Sequence, residues 1–215
     1  MPARPRRRNV ISVEEARQYY QGSDAIHDFD HVLRVLALAE RLAPAEGADP
    51  EILRAAVLLH DVARGDQGEA GGQDHAQAGA ERARRLLAGH PPERVEAVAR
   101  AIAAHRFRSG PAPDTPEARV LHDADKLDAI GALGVARAFA YGGRAGQRLW
   151  AEVPPGYEES EATRHDHTPV HEYRMKLARI QDRLLTESAR QIARERHAFM
   201  VAFFERLELE VRGLA

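Results

Sequence analysis

The 215-residue sequence contains no cysteine. Disulfides, thiolate metal sites and cysteine nucleophiles are excluded together, so any metal must be held by His, Asp and Glu. No apolar run approaches the ~20 residues that a membrane span requires. A surplus of one charge is missing too: 31 basic residues stand against 33 acidic ones, a formal net charge of −2. No overall basic field therefore favours nucleic acid. Nothing alternates with period two for long enough to make a strand, and there is no internal repeat. What remains is 44% hydrophobic content, ample for a core. At this length it suits one large domain or a domain with an extension. Arg4-Pro5-Arg6-Arg7-Arg8 is basic, but no apolar signal core follows it. Residues 1–11 thus read as a disordered solvated tail, 12–215 as a single domain, and the protein as cytoplasmic.

The hydrophobic period is helical throughout, and the predicted fold class is all-α. Ser12, with Glu15 three residues on, forms a capping box for a helix over 13–21. Asp28 caps a helix over 29–42, whose stripe is Val32, Val35, Leu36, Ala39 and Leu42. Pro50 opens a third helix, over 52–62, in which Ile52, Ala55, Ala56 and Leu59 share a face and the run closes on His60-Asp61. A polar, glycine-rich loop over 65–73 leads to a helix capped by Asp74 and running to 87. Pro91-Pro92 starts another, with Val95, Val98, Ile102 and His105 on its buried side. Segment 117–130 is helical, with Leu121, Asp125 and Asp128 along one side, and 132–141 is helical up to Gly142-Gly143. An irregular excursion over 144–168 precedes one or two long helices over 170–211. The core is expected over about 25–143 and a helical extension over about 169–211.

Polar groups close or open these apolar runs: His31, His60-Asp61, His105 and Asp125, with His75 in the first turn of a further helix. An unpaired buried carboxylate costs several kcal/mol. A divalent cation removes that cost and takes the carboxylate and imidazoles as ligands. Imidazoles with carboxylates make a mixed nitrogen and oxygen site suited to Mn, with Ni, Co, Fe, Zn or Mg as alternatives. A metal so bound would act as a Lewis acid and lower the pKa of a water. An anionic substrate would also need cationic partners. Lys126, beside Asp125, is the first candidate, followed by Arg34, Arg137 and Lys176.

The order His31 … His60-Asp61 … Asp125 resembles the HD-domain superfamily of metal-dependent phosphohydrolases, a helical bundle around such a site. HDFDHVLRV at 27–35, AAVLLHDVA at 55–63 and DADKLDAIGALGVARAFAYGG at 123–143 are similar to the stand-alone bacterial HD hydrolases of the YpgQ/YedJ type. So is the tail at 171–200. The resemblance implies His31, His60, Asp61 and Asp125 as metal ligands. It aligns His75 and His105 with positions that hold a second metal in some relatives and contact phosphate or water in others; a single tightly held ion is favoured here. His105 or His75 would orient the water or protonate the leaving group. The implied activity is pyrophosphohydrolysis of (deoxy)nucleoside triphosphates by a monomer or homodimer, without nucleic-acid or membrane partners. Alternatives are phosphodiester or guanosine-tetraphosphate hydrolysis, and a non-catalytic metal-bound nucleotide sensor. Guanosine-tetraphosphate hydrolases carry a Glu-Asp pair after the HD motif, where this chain has Arg64-Gly65. That departure weakens the guanosine-tetraphosphate reading; Asp66, or Glu69, is the candidate substitute acid, against the simpler reading of a solvated loop carboxylate.

Four other signals carry little weight. Gly142-Gly143-Arg144-Ala145-Gly146 lacks the Lys-Ser/Thr ending of a phosphate-binding P-loop, and His171-Glu172 has Met175 where a zincin needs its second histidine. His165-Asp166-His167 lies in the irregular excursion. His27-Asp28 is a second His-Asp dipeptide, but its Asp28 is read as a helix cap.

Overall fold

The computed structural model describes residues 10–20, 29–64, 75–106, 111–157 and 166–215. Among them every regular element is helical, in keeping with the all-α expectation. Of the tail predicted over 1–11, residues 1–9 lie outside the described residues, as do the Asp28 and Asp74 caps and the 65–73 loop, whereas Val10 and Ile11 are buried. The chain divides into two compact units, Met1–Asp125 and Lys126–Ala215. No helix among the described residues is long and apolar enough to cross a membrane.

In the first unit, α1 (Val13–Arg17) begins with both capping-box bonds made. The Ser12 N–H donates to Glu15 Oε2 at 2.7 Å and the Glu15 N–H to Ser12 Oγ at 3.1 Å. A 3-10 turn then buries Tyr20, whose hydroxyl donates to the Leu58 carbonyl at 3.0 Å. Helix α2 (Phe29–Glu46) buries the predicted stripe but runs a turn beyond 42. Pro44, inside the helix, offers no N–H to the carbonyl four residues back, and Gly47, at φ 69°, supplies the left-handed stop.

Helix α3 (Pro50–Leu59) starts at Asp49, whose carboxylate accepts from the N–H groups of Glu51 at 2.8 Å and Ile52 at 3.1 Å. It stops short of the predicted 62. The chain tightens there into i→i−3 bonds, from the Val62 N–H to Leu59 at 3.2 Å and from the Arg64 N–H to Asp61 at 3.0 Å. This short turn carries the His-Asp pair. Helix α3 packs on α2 and on α5 (Pro92–Ala103), and α5 packs on α4 (His75–Leu86). Leu53, Leu58, Leu59, Ile102 and Leu121 fill the core, each worth about 2 kcal/mol of transfer free energy. Helix α4 approaches the end of α3 closely because Gly79 has no side chain: a Cβ there would lie 3.0 Å from the His60 carbonyl oxygen. Arg82 Nη1, one turn on, donates to the Val62 carbonyl at 3.0 Å. Helix α6 (Pro116–Asp128) supplies Asp125 to this unit.

In the second unit, α7 (Ala132–Arg144) passes through Gly142-Gly143 instead of ending before them. Gly142 is buried, and a Cβ on it would sit 3.2 Å from Pro169 Cγ; the glycine serves close packing there, not chain reversal. No helix occupies the described part of the predicted excursion, 145–157. The C-terminal stretch is a short α8 (Pro169–Met175), two 3-10 turns and one long helix, α9 (Glu187–Val211). Thr186 caps α9 by accepting from the Ala189 N–H at 3.3 Å.

Candidate metal centre

His60 and Asp61 leave α3 into the interior of the first unit, and both are buried. The His60 Nδ1–H donates to the Val57 carbonyl at 2.7 Å, which leaves Nε2 with its lone pair facing inward. His105, just past the end of α5, repeats the device by donating from Nδ1 to the Ile102 carbonyl at 2.6 Å. His31 comes from the first turn of α2, His75 opens α4, and Asp125 lies on α6. Five chain segments thus converge on one point.

Asp61 is that point. Its Oδ2 lies 3.7 Å from His60 Nε2 and 4.0 Å from His31 Nε2. Its Oδ1 lies 3.8 Å from His105 Nε2 and 3.9 Å from His75 Nε2. Asp125 Oδ1 is 3.4 Å from His31 Nε2. Two ligand groups result, His31 with His60 and Asp125, and Asp61 with His75 and His105. Within each group the donor atoms lie within 4.8 Å of one another. Distances of 3.7 to 4.0 Å are too long for hydrogen bonds and suit donors that share a cation between them. His60 Nε2 and Asp61 Oδ1 are buried with no hydrogen-bond partner. Such orphaned acceptors are rare in a folded protein unless an ion satisfies them, so the donor set fits a divalent metal. The single-ion expectation meets a geometry with two ligand groups.

Burial pushes the Asp61 carboxyl up, but His60, Arg64 and His105 together outweigh burial and hold it well below the usual carboxylate range, against an opposing push from Asp125. The Arg64 part is a direct contact, Nη1 donating to Asp61 Oδ2 at 2.9 Å. His105 is pushed down to about 4, first by burial and then by His60, with Asp61, Asp125 and the Ile102 carbonyl opposing. At neutral pH it is therefore a lone-pair donor and carries no proton to give from Nε2.

The six candidates His31, His60, Asp61, His75, His105 and Asp125 come together in the first unit. Arg34 stands on α2 one turn from His31, half-buried. Lys126, Arg137 and Lys176 belong to the second unit. Within it, Arg137 Nη1 is 3.7 Å from the buried Asp128, and Lys176 Nζ donates to Glu172 at 2.6 Å. Asp66 and Glu69 lie outside the described residues, as does His165. His171 caps the start of α8, its Nδ1 lying 2.8 Å from Thr168 Oγ1. Arg64, Gly79 and Arg82 shape the site without having been singled out as its parts. The i, i+3 spacing of Asp61 and Arg64 was the one available signal.

The HD domain family model matches residues 28–130. The uncharacterized protein YpgQ of Bacillus subtilis is 33% identical over 194 residues, 87% of this chain and 86% of its own. The crystal structure of B. subtilis YpgQ in complex with ADP superposes with a TM-score of 0.73 at 30% identity, covering 95% of this chain and all of that one. An HD-superfamily hydrolase of Bacillus thuringiensis superposes with a TM-score of 0.69 at 28% identity, covering 93% of this chain and 94% of the other.

Proposed function

The chain belongs to the HD-domain family of metal-dependent phosphohydrolases, and we propose that it hydrolyses (deoxy)nucleoside triphosphates in the cytoplasm to the monophosphate and pyrophosphate. The supporting observation is Asp61 lodged between two groups of inward-facing imidazole nitrogens, with Oδ1 and His60 Nε2 buried and unpartnered. The nucleotide class is supported by the likeness to YpgQ, which was crystallised with ADP.

His31, His60, Asp61 and Asp125 would hold one cation and Asp61, His75 and His105 a second, manganese being the first choice. Divalent ions so held supply a water of lowered pKa and neutralise charge on the phosphoryl oxygens. The residues of the chain provide position. His60 and His105 are locked in one tautomer by the Val57 and Ile102 carbonyls, so their Nε2 atoms stay aimed at the reacting centre. Asp61, ionised across the physiological range, supplies the shared negative charge. His75, the most exposed of the four histidines at 15% of its side chain, is the one placed to meet solvent and substrate. Lys126 and Arg34 are proposed as phosphate partners. Arg137 and Lys176, each beside an acidic side chain, would have to exchange that partner for phosphate.

The test is a panel of ribo- and deoxyribonucleoside triphosphates incubated with the protein and Mn²⁺, with orthophosphate and pyrophosphate both assayed. Equal yields of monophosphate and pyrophosphate are expected. Release of orthophosphate alone would reject the cleavage position, and no product from any nucleotide would reject the substrate class.

A further inference from the structure

We propose that Arg64 and the divalent cation compete for Asp61 Oδ2, and that the guanidinium displaced by the cation becomes a contact for the substrate phosphate. The second half rests on the phosphohydrolase reading; the first does not.

The two carboxylate oxygens of Asp61 are in different situations. Oδ1, toward His75 and His105, is buried with no hydrogen-bond partner. Oδ2, toward His60 and His31, accepts Arg64 Nη1 at 2.9 Å. The guanidinium therefore engages the same oxygen that a cation held by His31, His60 and Asp125 would draw on. A guanidinium and a divalent ion on one carboxylate oxygen repel each other at close range, in surroundings too buried to screen them well. Each therefore weakens the other's hold on that oxygen.

Arg64 is the partner free to yield. Its side chain is 40% exposed, whereas that of Asp61 is 4% exposed and fixed by the turn after α3. Its backbone is tied to that turn, since the Arg64 N–H donates to the Asp61 carbonyl at 3.0 Å. A released side chain thus remains anchored beside the centre and, being 40% exposed, within reach of a ligand from solvent. Its planar fork suits bidentate contact with phosphate oxygens better than a lysine would.

A fixed arginine that merely steadies Asp61 makes the opposite prediction about metal affinity, and this separates the two. Full-length wild type, R64Q and R64K, stripped with chelator and checked for helicity by circular dichroism, are titrated with Mn²⁺ calorimetrically. Each is then loaded with Mn²⁺ and titrated with ADP and with inorganic pyrophosphate. The expected result is Mn²⁺ binding about tenfold tighter in R64Q, the scale on which partners of metal ligands act. ADP and pyrophosphate should bind loaded R64Q about tenfold or more weakly, the value of a charge-assisted bond. R64K, which keeps the charge without the fork, should fall between. Unchanged or weaker Mn²⁺ binding in R64Q overturns competition and makes Arg64 a fixed support. Unchanged ADP and pyrophosphate binding overturns the phosphate contact. If loaded wild type binds neither anion, the phosphohydrolase reading fails and takes that contact with it, while the Mn²⁺ comparison still decides the competition.

Discussion

The Nδ1–H of His60 donates to the carbonyl of Val57, one turn back, at 2.7 Å. The bond stands in for the helical N–H that α3 lacks at its end, and it fixes the ring so that Nε2 meets Asp61 Oδ2 at 3.7 Å. A helix terminus and a ligand orientation are thereby one structural feature. Replacing the acid next to it should separate binding from folding. Asp61→Asn keeps the shape and removes the charge shared by both ligand groups. Mn²⁺ affinity is expected to fall by on the order of 100-fold or more, beyond what loss of a mere partner of a ligand costs. Turnover should be lost while the circular dichroism spectrum keeps its helical form.

Metal removal should cost stability, because the centre ties α2, α3, α4, α5 and α6 to one charge. At a metal concentration of about 100 times Kd, binding to the native state alone contributes about 2.7 kcal/mol. Chelation is therefore expected to lower Tm by several degrees, and added Mn²⁺ to restore it. A Tm indifferent to chelator and to Mn²⁺ would mean that the orphaned His60 Nε2 and Asp61 Oδ1 are satisfied in some other way.

His105 sets a pH dependence whose sign can be worked out. Its folded pKa is pushed down to about 4 from 6.5, so between those values the unfolded chain binds the extra proton. Stability is then constant above pH 6.5 and falls as pH drops toward 4, by about 3 kcal/mol in all. Asp61 acts the same way only at lower pH, because its depressed carboxyl contributes stability above the normal carboxylate range and loses it in acid. Urea unfolding in chelator at pH 7.5, 6 and 5 should show the loss in wild type. His105→Gln should flatten that slope.

The convergence of the candidate ligands was legible because each of them opens or closes an apolar helical run, and helices packed on one core must bring such ends together. The cap at Ser12 and Glu15 was legible for a similar reason: its partners are three residues apart, and geometry is local. What was not legible depends on neighbours remote in sequence. Gly142-Gly143 carries a turn signal, yet Pro169 packs against Gly142 and the helix continues. The helix predicted over 29–42 continues to Glu46 through Pro44, where packing of α2 on α3 outweighs the missing N–H. The division of the donors into two groups was not legible on similar grounds, since it follows from which oxygen of Asp61 each imidazole faces.

Gly79 shows how far such a remote contact reaches. Its ideal Cβ would stand 3.0 Å from the His60 carbonyl oxygen and 3.4 Å from Ile102 Cγ2. The first neighbour is backbone at the turn bearing the His-Asp pair, and the second belongs to the residue whose carbonyl orients His105. The first cannot swing aside as a flexible side chain can, and the second is an ordinary van der Waals contact. Gly79→Ala gains up to about 1 kcal/mol of helix propensity in α4. Against this, overpacking a tight contact costs about 1–3 kcal/mol. The net expectation is a loss of roughly 1 kcal/mol, read as a lower urea midpoint at unchanged m-value. Mn²⁺ affinity should fall as well, because the displaced His60 backbone carries its imidazole with it. A variant more stable than wild type with unaltered Mn²⁺ binding would show that α4 can back away, and that the close approach at Gly79 does not hold the centre in place.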